Sequence, residues 1–253
     1  MIFYVHDDLT DSVRERFGAG SPAAALAAEI LGLVRREHTV VLTLGPQLDA
    51  LVAQRAHAPF ALALGIGPAG ERVARQVHAR TGWFPTIRQL DLTREEDGGG
   101  DYAVVPLHGT PLAAQLAGVE TAASVAVVDD TLFSGITLRT LLGALPPAVR
   151  ARTHAFCLRG VAESIPVIEA LCPITVGFAA PGKMLDEVSF INASGLVRRG
   201  AIRRVGATPL AFFERPEWIR EWFGEAAGAI IVRCARLNAL LEPDGRPSLP
   251  GPV

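Results

Sequence analysis

The sequence predicts an α/β fold built on a mostly parallel sheet. Three observations lead there. First, short apolar runs at 40–44, 60–66, 125–128 and 174–178 alternate with helix-like stretches, and a repeated β–loop–α pattern argues for parallel strands joined by helical crossovers. Second, 253 residues with a 49% apolar fraction suffice for a substantial core, in one large domain or one domain with a sizeable attachment. Third, the run Val125-Ala126-Val127-Val128 leads straight into Asp129 and Asp130. That suits a buried parallel strand with polar groups at its carboxyl end, where open α/β sheets bind ligands.

Taken in order, residues 2–5 read as a first strand, and Asp7, Asp8 and Asp11 as part of a solvated turn or helix cap. A long helix is predicted over 21–37, with Ser21 as N-cap and Pro22 at the first helical position. A strand at 40–44, a helix at 47–55, a strand at 60–66 and a helix at 71–80 follow. Next come a strand at 86–92 and a polar, glycine-rich stretch, 93–101, that reads as a mobile loop. The strand at 102–107 ends in His108-Gly109-Thr110-Pro111. His108 could reach a site at the strand end, although a lone histidine is more often structural. A helix at 112–117, the strand at 125–128 and a helix at 137–145, stopped by Pro146-Pro147, lead to strands at 154–158 and 174–178 around a helix at 163–171. Residues 186–200 carry many polar groups that could read a ligand. Trp218 and Trp222, four apart, share one helical face and suit core packing better than ligand stacking. An apolar helix at 226–241 precedes a proline- and glycine-rich end, 243–253, expected to be a disordered tail.

The chemistry concentrates at 125–137. Two adjacent carboxylates can hold a diol or a metal ion. The turn Ser134-Gly135-Ile136-Thr137 offers backbone N–H groups and two hydroxyls at a helix start, which makes an anion cradle. Carboxylates beside such a cradle suit a phosphorylated sugar. The whole pattern resembles the phosphoribosyl-pyrophosphate signature of type I phosphoribosyltransferases: apolar strand, two acids, three variable residues, Ser/Thr-Gly, any residue, Ser/Thr. Asp129, Asp130, Ser134, Gly135 and Thr137 are the matching residues. The resemblance implies a mostly parallel twisted sheet with helices on both faces over 39–183, and a hood on the acceptor side made from the chain ends, 1–38 and 184–242.

It also implies Mg2+-dependent transfer of a 5-phosphoribosyl group from phosphoribosyl pyrophosphate to a small-molecule acceptor, with inversion at the anomeric carbon and release of pyrophosphate. Asp129 and Asp130 would be the catalytic acids, binding the ribose hydroxyls directly or through Mg2+, a hard cation that prefers oxygen ligands. Thr131, Phe133, Ser134, Gly135, Ile136 and Thr137 would line the substrate, with 134–137 on the 5-phosphate. A strand-to-helix turn in this family holds pyrophosphate, and two turns qualify. One is 65–71, where Gly65 and Gly67 allow close backbone approach and a helix start adds its dipole. The other is Leu44-Gly45-Pro46-Gln47; by position, 65–71 looks like the match. The family's flexible loop, which closes over the reacting donor and excludes water, corresponds to 93–101. Arg88 and Arg94 are placed to touch pyrophosphate from that region. The segment 176–183 looks like the base-binding segment of the hypoxanthine-guanine branch, with Phe178 as the stacking aromatic; so short a likeness does not name a purine.

Phe133 departs from the pattern. In purine-salvage members that position is often an aspartate that assists the acceptor's proton, and phenylalanine has no proton chemistry. Thr131 is also more polar than the aliphatic residue common there. Both departures argue against ordinary purine salvage and leave the acceptor open, with specialised metabolism as the expectation.

The formal charge of −2 and the lack of a basic block argue against a nucleic-acid partner, and no stretch approaches a membrane span. Cys157, Cys172 and Cys234 are odd in number and widely spaced, forming neither a zinc pattern nor a disulfide framework. With a start that lacks the features of a signal peptide, a cytoplasmic location is expected. A homodimer is left open. Two other readings stand beside the transferase: a non-catalytic regulatory or accessory protein that binds phosphoribosyl pyrophosphate, and a sugar-phosphate hydrolase or isomerase on a doubly wound fold.

Overall fold

A computed structural model describes residues 2–96, 101–182 and 190–242. The expected tail at 243–253, the glycines of 98–100, Lys183 and residues 186–189 therefore lie outside the described residues.

Along the chain, β1 (Phe3–His6) leads into α1 (Leu9–Phe17), a helix that the mixed composition of the first twenty residues concealed. Asp7 accepts the Thr10 N–H at 2.9 Å, as a cap would. Asp8, expected in a solvated turn, is buried instead and accepts the Ser194 backbone N–H at 2.8 Å. α2 (Pro22–Val34) begins as expected: Ser21 Oγ accepts the Ala24 N–H at 3.1 Å, satisfying one of the orphan donors of a helix start. β2 (Thr39–Leu42) is followed after one residue by α3 (Leu44–Ala53), so Leu44-Gly45-Pro46-Gln47 is a helical turn rather than a loop. β3 (Leu62–Ile66) passes directly into α4 (Gly67–Thr81), four residues before the expected helix start. β4 (Ile87–Leu90) follows. Then β5 (Leu92–Glu96) and β6 (Tyr102–Pro106) pair in a two-stranded sheet, so the polar residues 93–96, expected in a loop, are strand. The short α5 (Leu112–Gln115) precedes β7 (Val125–Leu132), α6 (Ile136–Ala144) and α7 (Pro147–Arg150). β8 (Thr153–Val161), α8 (Ile165–Glu169) and β9 (Ile174–Ala180) complete that series. β10 (Phe190–Asn192), α9 (Pro216–Phe223) and α10 (Ala227–Leu241) close the chain.

These elements form two compact units. Among the described residues, one comprises 2–44, Glu96, Asp101 and 190–242. Its three-stranded parallel sheet runs β10-β1-β2, so β2 pairs with β1 and not with the strands that follow it. Trp222 stacks on Phe3 with ring centroids 5.6 Å apart and lies 5.7 Å from Trp218, so both half-buried tryptophans have aromatic neighbours.

The other unit comprises 45–95 and 102–182. Its five strands run β4-β3-β7-β8-β9 and every register among them is parallel. Val125, Val127, Ala155 and Cys157 face Leu138, Leu141, Leu142 and Ile168 from α6 and α8 in one core layer. On the opposite face α4 presses on β3 and β7, and Gly177 of β9 admits α3 closely, since a Cβ there would stand 2.8 Å from the Gln47 carbonyl oxygen. Helices thus cover both faces of a parallel sheet, as burial of an all-parallel sheet requires.

In this five-stranded sheet chain order and spatial order diverge once. From β3 the chain steps outward to β4, then returns to place β7 on the other side of β3. The carboxyl ends of β3 and β7 flank that reversal, and open α/β sheets bind ligands at such a switch point.

Candidate functional site

The sequence predicts the acids just past the end of a strand over 125–128; in fact β7 carries them. Its pairing with β3 stops at Gly65–Val128, but its pairing with β8 continues through Asp129–Cys157, Thr131–Arg159 and Leu132–Gly160. Past Val128 the strand therefore projects beyond β3 with one named neighbour, β8. Its apolar run ended at Val128, so the residue pattern gave no sign of this extension.

Asp129 and Asp130 are both partly buried. Asp129 accepts the Asp130 backbone N–H at 2.9 Å. Burial, and next the neighbouring Asp130 carboxylate, hold the Asp129 carboxyl well above the usual carboxylate range, while Arg94 opposes the rise. Asp130 is held differently: its Oδ2 accepts from Thr131 Oγ1 at 3.0 Å and from Arg159 Nη2 at 2.9 Å. Arg159 is fully buried, and its Nη1 donates to Gln47 Oε1 at 3.3 Å from the first turn of α3. Sequence reasoning missed Arg159, and it named Gln47 only within the 44–47 turn, not as a partner of a buried charge. The signal was present, because an arginine directly after Ala155-Phe156-Cys157-Leu158 continues an apolar strand, and a charge there demands a partner.

The turn after β7 has the expected form. Gly135 adopts φ +74°, a left-handed conformation open to glycine, and heads α6. Ser134 Oγ accepts the Ile136 N–H at 3.3 Å. Ile136 and Thr137 form the first turn of α6, so backbone N–H groups and the helix dipole are presented together.

Across the switch point, Gly65 is the penultimate residue of β3 and Gly67, at φ +58°, is the first of α4. The 65–71 segment is thus a strand end and a helical turn, not an open loop. Close packing explains two of its glycines. A Cβ on Gly65 would stand 2.5 Å from the Glu71 backbone, and one on Gly70 would stand 2.4 Å from the Val128 carbonyl oxygen. The start of α4 is thereby pressed against the strand that carries the acids.

Arg94, on β5, is exposed and lies over the Phe133 ring at 5.4 Å, which joins it to the signature turn. Arg88 Nη1 donates to the Gln115 and Ala117 carbonyls at 3.2 and 2.9 Å. Its guanidinium braces the end of α5, a role fixed by neighbours distant in sequence. Phe178, partly buried on β9, lies in register with Arg159, so Thr131, Arg159 and Phe178 form one row across the carboxyl end of the sheet. His108 pairs with Asp91 through Nδ1 at 2.9 Å.

Among the described residues no group of three or more His, Cys, Asp or Glu side chains could hold a metal alone. Two adjacent carboxylates do fit Mg2+, which commonly takes one or two carboxylates and completes its shell with substrate phosphates and water. No helix among the described residues is long and apolar enough to cross a membrane.

No family model matches the chain, and no curated protein matches it. Similar solved structures include a purine phosphoribosyltransferase from Pyrococcus horikoshii, 16% identical, with a TM-score of 0.40 over 59% of this chain and 86% of that one. Another is TT1426 from Thermus thermophilus, 16% identical, with a TM-score of 0.36 over 57% and 85%. A third is a hypothetical protein from Neisseria gonorrhoeae with bound ppGpp, 16% identical, with a TM-score of 0.39 over 76% and 86%.

Proposed function

We propose that the chain is a phosphoribosyltransferase of type I, which moves a 5-phosphoribosyl group from phosphoribosyl pyrophosphate to a small-molecule acceptor and releases pyrophosphate. One observation carries this reading: an adjacent acid pair and a glycine-headed helix start occupy the carboxyl end of a single strand, at the switch point of a parallel sheet. Acids for the ribose and N–H donors for the phosphate then lie one short turn apart.

In this reading the N–H groups of Gly135, Ile136 and Thr137, with the hydroxyls of Ser134 and Thr137, hold the 5-phosphate. Asp129 and Asp130 accept hydrogen bonds from the ribose hydroxyls. The start of α4, tucked against Val128, points its positive dipole end toward the side where pyrophosphate leaves, and Arg94 adds charge from β5. Mg2+, held by Asp129 and Asp130 together with donor oxygens, would supply further positive charge against the departing group. The bond from the anomeric carbon to pyrophosphate breaks with its electron pair leaving on oxygen, and an acceptor lone pair forms the new bond on the opposite face. The acceptor's proton goes to a group other than Phe133. Phe178, two strands from the acids, offers a flat apolar surface to the acceptor.

The experiment is direct: incubate the protein with Mg2+ and phosphoribosyl pyrophosphate plus a panel of amine, nucleobase and phenolic acceptors, and measure pyrophosphate. Acceptor-dependent release supports the transferase. Tight donor binding without turnover across the panel would move the reading to a non-catalytic sensor of the donor, which Phe133 at the usual acid position favours. Protection from heat by a simple sugar phosphate, and not by the donor, would point instead to a sugar-phosphate hydrolase or isomerase.

A further inference from the structure

A guanidinium enters a protein interior at a steep desolvation cost unless an opposite charge and hydrogen bonds meet it there. Arg159 is 0% exposed and carries a permanent charge. What meets it is Asp130, itself 15% exposed in its side chain. The location follows from the sheet. β3 ends at Ile66, so the projecting part of β7 takes support from β8, and in register beside Thr131 the residue β8 offers is Arg159. Its two arms divide the work: Nη2 reaches Asp130 Oδ2 at 2.9 Å, and Nη1 reaches Gln47 Oε1 at 3.3 Å. Thr131 Oγ1 approaches the same Oδ2 at 3.0 Å. One carboxylate oxygen is thus gripped by two donors, and the stronger donor is anchored on a second element, α3.

We infer that Arg159 is a positioning residue for donor binding: it locks the Asp130 carboxylate in one orientation before the sugar arrives. The inference rests on the phosphoribosyl reading of the site and goes beyond it by assigning a residue outside the signature. A carboxylate on a projecting strand would otherwise sample several rotamers and lose that freedom on binding. Arg159 acts through Asp130 and needs no contact with the ligand. The planar fork matters as much as the charge, because its two nitrogens serve Asp130 and Gln47 at once.

The test measures binding, by isothermal titration with phosphoribosyl pyrophosphate and Mg2+, and separately with magnesium-free ribose 5-phosphate. The proteins are wild type, Arg159→Gln, Arg159→Lys, Asp130→Asn and the double variant Arg159→Gln/Asp130→Asn, each checked for folding by circular dichroism. Arg159→Gln should weaken both ligands about tenfold, as a lost charge-assisted contact network would, and Arg159→Lys should recover part of that. The double variant should bind no more weakly than Asp130→Asn alone, because both changes remove one device. Wild-type affinity in Arg159→Gln, or a double variant whose loss is the product of the single losses, overturns the inference while leaving the donor site intact. If Arg159→Gln does not fold, Gln47→Ala frees one arm of the clamp without stranding the charge; weakened binding supports the inference, and unchanged binding overturns it. If wild type binds neither ligand, the donor-site reading itself falls and the role of Arg159 with it.

Discussion

Gly70→Ala tests whether the switch point is built by close packing of α4 on β7. A Cβ there would lie 2.4 Å from the Val128 carbonyl oxygen, one residue before Asp129, and the atom it meets is backbone. No rotamer change relieves the contact, so α4 must retreat by about 0.6 Å or more to reach even a tight distance, an overpacking that costs roughly 1–3 kcal/mol. Alanine returns about 0.5–1 kcal/mol by favouring helix over glycine. The net expectation is a loss centred near about 1 kcal/mol, or roughly 2–4 °C in melting temperature for a chain of this size. Gly143→Ala is the matched control: it lies exposed in α6 with no atom within 4 Å of the added carbon. There the helix preference acts unopposed and should raise the melting temperature by about 2 °C. Differential scanning calorimetry reads both, and titration with phosphoribosyl pyrophosphate should show weaker binding only in Gly70→Ala. A Gly70→Ala protein that melts at or above wild type would refute the packing argument.

Asp129→Asn combined with Asp130→Asn should abolish acceptor-dependent pyrophosphate release while circular dichroism stays native; retained turnover would sink the assignment of the acids. Gly135→Val places a branched residue at φ +74°, with the added carbon 3.1 Å from Ile168, and should weaken donor binding at least tenfold, read by calorimetric titration. Burial first, then the charges of His57 and Arg55, push His154 down to about 4. Its neutral form is therefore favoured in the folded state, the unfolded state binds the extra proton below about 6.5, and stability is present above that pH and lost as it falls toward 4. Allowing for partial exposure, the loss should be about 2–3 kcal/mol across that window, and His154→Phe should flatten the dependence of melting temperature on pH. An equally steep curve in that variant would contradict the assignment.

Much of the fold was legible because its signals are local. Apolar runs of strand length, Ser21 with Pro22, and Gly135 ahead of α6 each state their structure within a few residues. What was not legible depends on partners far along the chain. The same pattern that marks β2 as a strand cannot say that it pairs with β1 and not β3. β7 extends through two aspartates because β8 continues beside it, and β-propensity would have ended it sooner. That Arg88 Nη1 meets the carbonyls of Gln115 and Ala117 is invisible in a linear reading, because those neighbours lie 27 and 29 residues away. Arg159 was overlooked for the same reason: its partner Asp130 lies 29 residues earlier, so a buried ion pair read as the end of a strand.

The central claim is that Asp129, Asp130 and the 134–137 turn bind one phosphorylated ribose. The most direct measurement is calorimetric titration of the wild-type protein with phosphoribosyl pyrophosphate and Mg2+, run beside the Asp129→Asn/Asp130→Asn variant. The expected result is saturable one-to-one binding by wild type, weakened a hundredfold or more in the variant. Absence of binding by a folded wild type, or equal affinity in both proteins, would contradict it.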